Sequence, residues 1–145
     1  MPLLEQVLEK YPDDVKIVFK NFPLRNHKFA MTAATAALAA ESQGKFWEFH
    51  DLLFKNYNNL NDQKIREIAL ELGLDQTEFE KKMKDPKITE MIRQDVREGV
   101  QAGVRGTPTI FINGRRLEDR SLRGFQAVID GELQKLGKKD AKPTS

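Results

Sequence analysis

Few side chains in this sequence could do chemistry. His27 and His50 are the only imidazoles among 145 residues, and there is no cysteine. Without a thiol, the chain by itself can form no disulfide, thiolate metal site or thiolate nucleophile. His50 stands in "FWEFHDLLF" beside Glu48 and Asp51. A metal site on a helix needs ligands three or four residues apart, and His50 and Glu48, two apart, face different directions. His50 therefore reads as a helix-surface histidine. His27 follows "FPLRN" and reads as a loop histidine with a hydrogen-bonding role. The carboxylates lie scattered among basic residues, as on solvated helix faces. No Ser-His-Asp set can be inferred and no Gly-rich phosphate loop is present, so neither a metal nor a cofactor is expected.

Residues 103–114, "GVRGTPTIFING", look instead like a structure waiting for a partner. Thr107-Pro108 opens a short apolar run, Thr109 to Ile112, that is β-branched and aromatic. Asn113-Gly114 is a type I′ hairpin signal leading into "RRL". Arg115 and Arg116, just past that turn, read as a solubilising edge rather than an anion contact. Phe46, Trp47 and Phe49 could line a peptide groove, but at helical spacing they read first as core.

The elements that must position this loop follow from periodicity and caps. Pro2 suits a first helical turn, and Leu3, Leu4, Val7, Leu8 and Tyr11 share a face. "VKIVFKNF" then reads as a buried strand, Val15 to Phe19. "KFAMTAATAALAAESQG" is an Ala-rich helix able to pack closely, ending near Gly44. "KFWEFHDLLFKNY" is a second, with Phe46, Phe49, Leu52 and Leu53 at core spacing. Asn61 or Asp62 caps a third, carrying Ile65, Ile68, Ala69 and Leu72. Asp75 and Glu78 have capping-box spacing before a short helix with Phe79 and Met83. Asp85-Pro86 starts another, whose inner face is Ile88, Met91, Ile92, Val96 and Val100. Ser121 caps the last, with Phe125, Val128, Ile129, Leu133 and Leu136. Met31, Met83 and Met91 all fall at core-like helical positions.

Composition narrows the partners. Hydrophobic residues at 39% and charged residues at 32% are ordinary for a globular protein. Twenty-four basic against 22 acidic side chains give a net charge of +2, too small a field to expect nucleic acid or an anionic membrane as partner. No apolar run approaches the ~20 residues that span a bilayer. "MPLLEQVLEKYP" places charges where a signal peptide has its apolar segment, so no export signal is expected. The pattern is α/β: one domain over residues 1–137, with a helical insertion at about 29–102 and a flexible tail at 138–145.

The order helix, strand, several helices, hairpin, helix resembles the thioredoxin fold. The segments "VKIVFKNFPL", "AALAAESQGKFWEFHDLLF" and "AGVRGTPTIFING", with the final helix, resemble the DsbA-like thiol–disulfide oxidoreductases, whose parent activity is protein disulfide exchange. The resemblance implies a cis bond at Thr107-Pro108, and a backbone site at Gly106, Thr107 and Pro108 that pairs with a substrate peptide. Members carry, ahead of the part matching this chain, a strand and a C-x-x-C motif, and most are exported or membrane-anchored. With both missing, the expectation is a truncated thioredoxin-like domain whose small sheet lacks its central strand and which is inactive by itself. The alternative is a non-catalytic module that binds a peptide or unfolded segment at the loop. In either case the exposed strand edges imply a homodimer.

Overall fold

Short polar caps set where the helices begin. Asn61 Oδ1 accepts the Lys64 N–H at 2.7 Å, and Asp75 Oδ1 accepts the Glu78 N–H at 2.9 Å. Asp85 Oδ1 accepts the Lys87 N–H at 2.9 Å, and Ser121 Oγ the Gly124 N–H at 3.1 Å. Each satisfies a donor that the first helical turn leaves without an intrahelical partner. In chain order the elements are α1 (Pro2–Lys10), α2 (Ala30–Glu41), α3 (Phe46–Lys55), a 3₁₀ turn (Tyr57–Asn59), α4 (Asp62–Glu71), α5 (Gln76–Met83), α6 (Pro86–Gln101), β1 (Phe111–Ile112), β2 (Arg115–Arg116) and α7 (Leu122–Lys135). The computed structural model describes residues 2–24 and 28–137. His27 and the tail read at 138–145 lie outside the described residues.

The chain divides into two units, Lys20–Gly106 and Met1–Phe19 with Thr107–Ser145. In the first, α2 is the centre. Ala36, Ala37, Ala39 and Ala40 are all buried, and their single methyl groups let α3, α4, α5 and α6 each approach α2. Phe49 and Leu53 of α3, Ile65 and Ile68 of α4, Phe79 of α5 and Ile88 and Ile92 of α6 complete that core. The Phe49 and Phe79 rings stack with centroids 5.6 Å apart. Ahead of α2 the chain is pinned to α6: the backbone N–H and the side-chain amide of buried Asn21 both donate to Asp95 Oδ2, at 2.9 and 3.0 Å. Phe22 lies over Gly99, where an added Cβ would sit 2.9 Å from the ring.

That approach explains where the expected inner face of α6 fails. Val100 is 61% exposed and Met91 51%, while Ile88 and Ile92 are buried. Each i+4 step drifts about 40° around a helix of 3.6 residues per turn, so a stripe begun at Ile88 and Ile92 turns away from the core by Val100. Gly99 faces inward in its place. Met31 is also exposed, near the start of α2 and before the buried run from Thr35 to Ala40.

In the second unit, α1 packs on α7. Val7 and Tyr11 meet Phe125, Ile129 and Leu133, with Leu117 closing the cluster. Leu8 points outward, contrary to its expected place on the inner face. The Tyr11 hydroxyl donates to Asp130 Oδ1 at 2.7 Å, so the buried phenol keeps a hydrogen bond. β1 and β2 pair antiparallel, Phe111 opposite Arg116 and Ile112 opposite Arg115. Asn113 and Gly114, at φ of 49° and 79°, form the turn, as the Asn-Gly pair requires.

These two short strands are the only sheet among the described residues. Val15 to Phe19, read from sequence as a buried strand, is not one. Val15 packs on the cluster and Ile17 is half-buried, but Val18 is 63% exposed. Apolar patterning alone does not make a strand: it also needs a neighbouring backbone to complete its ladder, and none is supplied among the described residues.

Candidate functional site

The loop at the start of the hairpin is held from both sides. Upstream, Gly103 at φ 83° ends α6, and the Val104 N–H returns to the Gly99 carbonyl at 2.9 Å. Downstream, the Leu117 N–H donates to the Ile110 carbonyl at 2.8 Å, extending the hairpin by one rung. Arg120 Nη1 donates to the Pro108 carbonyl at 3.0 Å. The Thr107–Pro108 peptide bond is cis. Thr107 and Pro108 are exposed, Gly106 and Thr109 half-buried. Among the described residues nothing hydrogen-bonds to the backbone of Thr107. A small hollow of about 160 Å³ lies alongside, lined by Pro108, Thr109, Arg116, Glu118 and Arg120.

Gly106, Thr107 and Pro108, the three residues singled out from sequence, are thus contiguous on a tethered loop. Arg120 was not singled out. It reaches Pro108 across twelve residues, and only the closed hairpin brings the two together. Chemically, the arrangement presents the backbone groups of an exposed peptide unit beside a tethered proline. Among the described residues no three His, Asp or Glu side chains come together as a metal site.

His50 corrects the sequence reading. It is buried, 4% exposed, rather than on the helix surface. Its ring lies against Phe46, Trp47 and Phe54, with centroids 5.9, 5.5 and 4.7 Å away, and Nδ1 is 3.5 Å from Asp51 Oδ1. Burial holds its pKa below the ordinary histidine value, against the opposing pull of Asp51. The neighbours at i±4 were visible in the sequence; that they form an enclosing aromatic cluster was not. The three candidate groove aromatics part company. Phe49 is core, Phe46 half-buried and Trp47 exposed at 42%.

Comparison with known proteins identifies one family by its profile. Residues 2–130 match the profile of the DSBA-like thioredoxin domain. The thiol-disulfide exchange protein alpha-DsbA2 of Wolbachia pipientis superposes with a TM-score of 0.77 at 24% identity, covering 90% of this chain and 72% of that one. A thioredoxin-like oxidoreductase from Silicibacter pomeroyi gives 0.72 at 25% identity, covering 92% and 81%. Among curated relatives, the Na(+)/H(+) antiporter NhaA 3 of Salinispora tropica is 39% identical over 116 residues, 79% of this chain and 18% of that protein. The NhaA antiporter of Herminiimonas arsenicoxydans is 35% identical over 121 residues, 83% and 19%. The chain thus spans under a fifth of the length of these curated relatives.

Proposed function

The chain belongs to the DSBA-like thioredoxin domain family, and from that premise we propose that it engages extended polypeptide at Gly106, Thr107 and Pro108 but does not itself exchange disulfides. Exchange requires a thiolate to attack a disulfide sulfur, and these 145 residues contain no cysteine to provide one. Family membership makes disulfide oxidoreduction the parent activity. What this chain keeps of it is the peptide-facing part. The observation that carries the reading is Thr107: exposed, its backbone unclaimed among the described residues, next to a proline whose carbonyl Arg120 holds. The antiporter activity in the relatives' names is not carried over, because the match covers so little of those proteins. No described helix is long and apolar enough to cross a membrane.

A second reading is favoured by the stretch from Val15 to Phe19. It lies outside any ladder and is mostly apolar, with Val18 63% exposed, and Phe111 of β1 is 39% exposed. Open apolar edges of this kind invite another strand, and we propose that a second copy supplies it. In an insulin-reduction assay with dithiothreitol, the chain is expected to leave the rate at that of the reductant alone. A rate that rises with the chain's concentration would refute the inactive assignment.

A further inference from the structure

A second surface of the same unit has a different chemistry from the Pro108 loop. Between the hairpin and the first turns of α7 runs an open groove of about 540 Å³. Its floor is apolar, made by Leu117, Ala127 and Val128. Its rim is cationic, with Arg115 and Arg116 from β2 and Arg123 from α7, all exposed.

Two arginines of the helical unit, by contrast, are paired. There, Arg97 Nη2 lies 2.7 Å from Glu90 Oε1, and Arg66 Nε lies 3.9 Å from Glu80 Oε1. Among the described residues no carboxylate comes within ion-pair distance of Arg115, Arg116 or Arg123. The groove's own acids offset them only in part, the Arg123 guanidinium acting on the Asp119 carboxylate. Asp119 Oδ1 accepts the Ser121 N–H at 3.0 Å, and hydrogen bonding from Ser121 holds its carboxyl below the ordinary range. Glu118 is exposed on the loop. Three guanidinium groups against the two carboxylates of Asp119 and Glu118 still leave the rim with an excess of positive charge.

The groove also has a built wall. Gly124 allows the Asp119 carbonyl to press onto α7, since a Cβ there would overlap that oxygen. The Ser121 cap, with its 3.1 Å bond to Gly124 N, holds the same corner.

We propose that this groove docks an acidic peptide segment in which carboxylates flank an apolar residue. The apolar side chain sits over Leu117, Ala127 and Val128, and the carboxylates pair with Arg115, Arg116 and Arg123. Planar guanidinium groups suit carboxylates because they can bind them through two parallel hydrogen bonds. The site is argued apart from the Pro108 loop, and its test substitutes Arg115 and Arg123, neither of which lines the hollow beside Pro108.

The probe is a fluorescein-labelled extended peptide alternating glutamate with valine, titrated with the intact chain and followed by anisotropy. A counterpart with glutamine for glutamate serves as the control peptide. The expected result is saturable binding of the glutamate peptide that weakens with added salt. Arg115→Gln combined with Arg123→Gln should lower the affinity at least about tenfold, roughly one tenfold step for each 1.4 kcal/mol lost. Ala127→Glu, an exposed change in the floor, should abolish binding while circular dichroism stays that of the parent chain. Arg93→Gln, on the other unit, should change nothing. Equal binding of the glutamine peptide, or binding indifferent to the rim substitutions, would overturn the proposal. So would single-stranded DNA that competes as tightly as the glutamate peptide, since any polyanion would then serve. If the rim substitutions dissociate a dimer and the peptide does not bind, the groove is occupied by a second copy and the proposal fails.

Discussion

At the scale of single residues, two glycines of α7 separate packing from propensity. Gly131 has open space where a side chain would go, whereas a methyl at Gly124 would overlap the Asp119 carbonyl. Gly131→Ala should therefore stabilise the chain by about 0.5–1 kcal/mol, the usual cost of glycine inside a helix. Gly124→Ala gains the same propensity but meets an overpacked contact costing about 1–3 kcal/mol, so its urea midpoint should fall. Neither sign could be read from the sequence, where both are simply glycines in a helical pattern. His50 makes the same point for charge. Its pKa in the fold lies below the ordinary ~6.5 because burial disfavours the imidazolium. As pH falls past that value the unfolded chain takes up the proton first, so stability drops on acidification and is fully present only above it. His50→Phe should flatten the fall in urea midpoint between about pH 7 and 5. Parallel curves for parent and variant would show that the buried ring does not set the acid response.

At the scale of elements, the helices were the most legible, because caps and apolar spacing are local. Asn61, Asp75, Asp85 and Ser121 each hold the N–H groups their positions imply. The hairpin was legible for the same reason: Asn113 and Gly114 adopt the left-handed backbone that Asn-Gly favours. What failed was non-local. Val15 to Phe19 has a strand's alternation and no ladder, since pairing depends on what lies beside it. The drift of α6 that exposes Val100 and seats Gly99 under Phe22 depends on a close approach that no single-helix pattern encodes. If the open stretch at Val18 joins two copies, light scattering across concentrations should show a species near twice 16.6 kDa. Val18→Lys should shift it to the monomer, because a charge on an exposed edge discourages pairing. A parent chain that stays monomeric at every concentration would remove self-association from the account.

At the scale of the whole molecule, each of the two units keeps its own core, and the Thr107–Pro108 loop leads into the hairpin of one of them. Gly106, Thr107 and Pro108 were proposed from the family resemblance of the sequence around them, and a peptide titration is what tests them. Arg120 and the arginine-rimmed groove were not legible in that sequence, because they exist only once the hairpin folds toward α7. The central claim is recognition without electron transfer, and one titration tests both halves. The ¹⁵N-labelled chain is mixed with an extended peptide closed by its own disulfide, in glutathione buffer, and both are followed by NMR. The account predicts progressive shifts of the Gly106, Thr107 and Thr109 amides. The peptide's cystine signals should decay no faster than in buffer alone. Unmoved amides, or faster loss of the cystine when the chain is added, would contradict it.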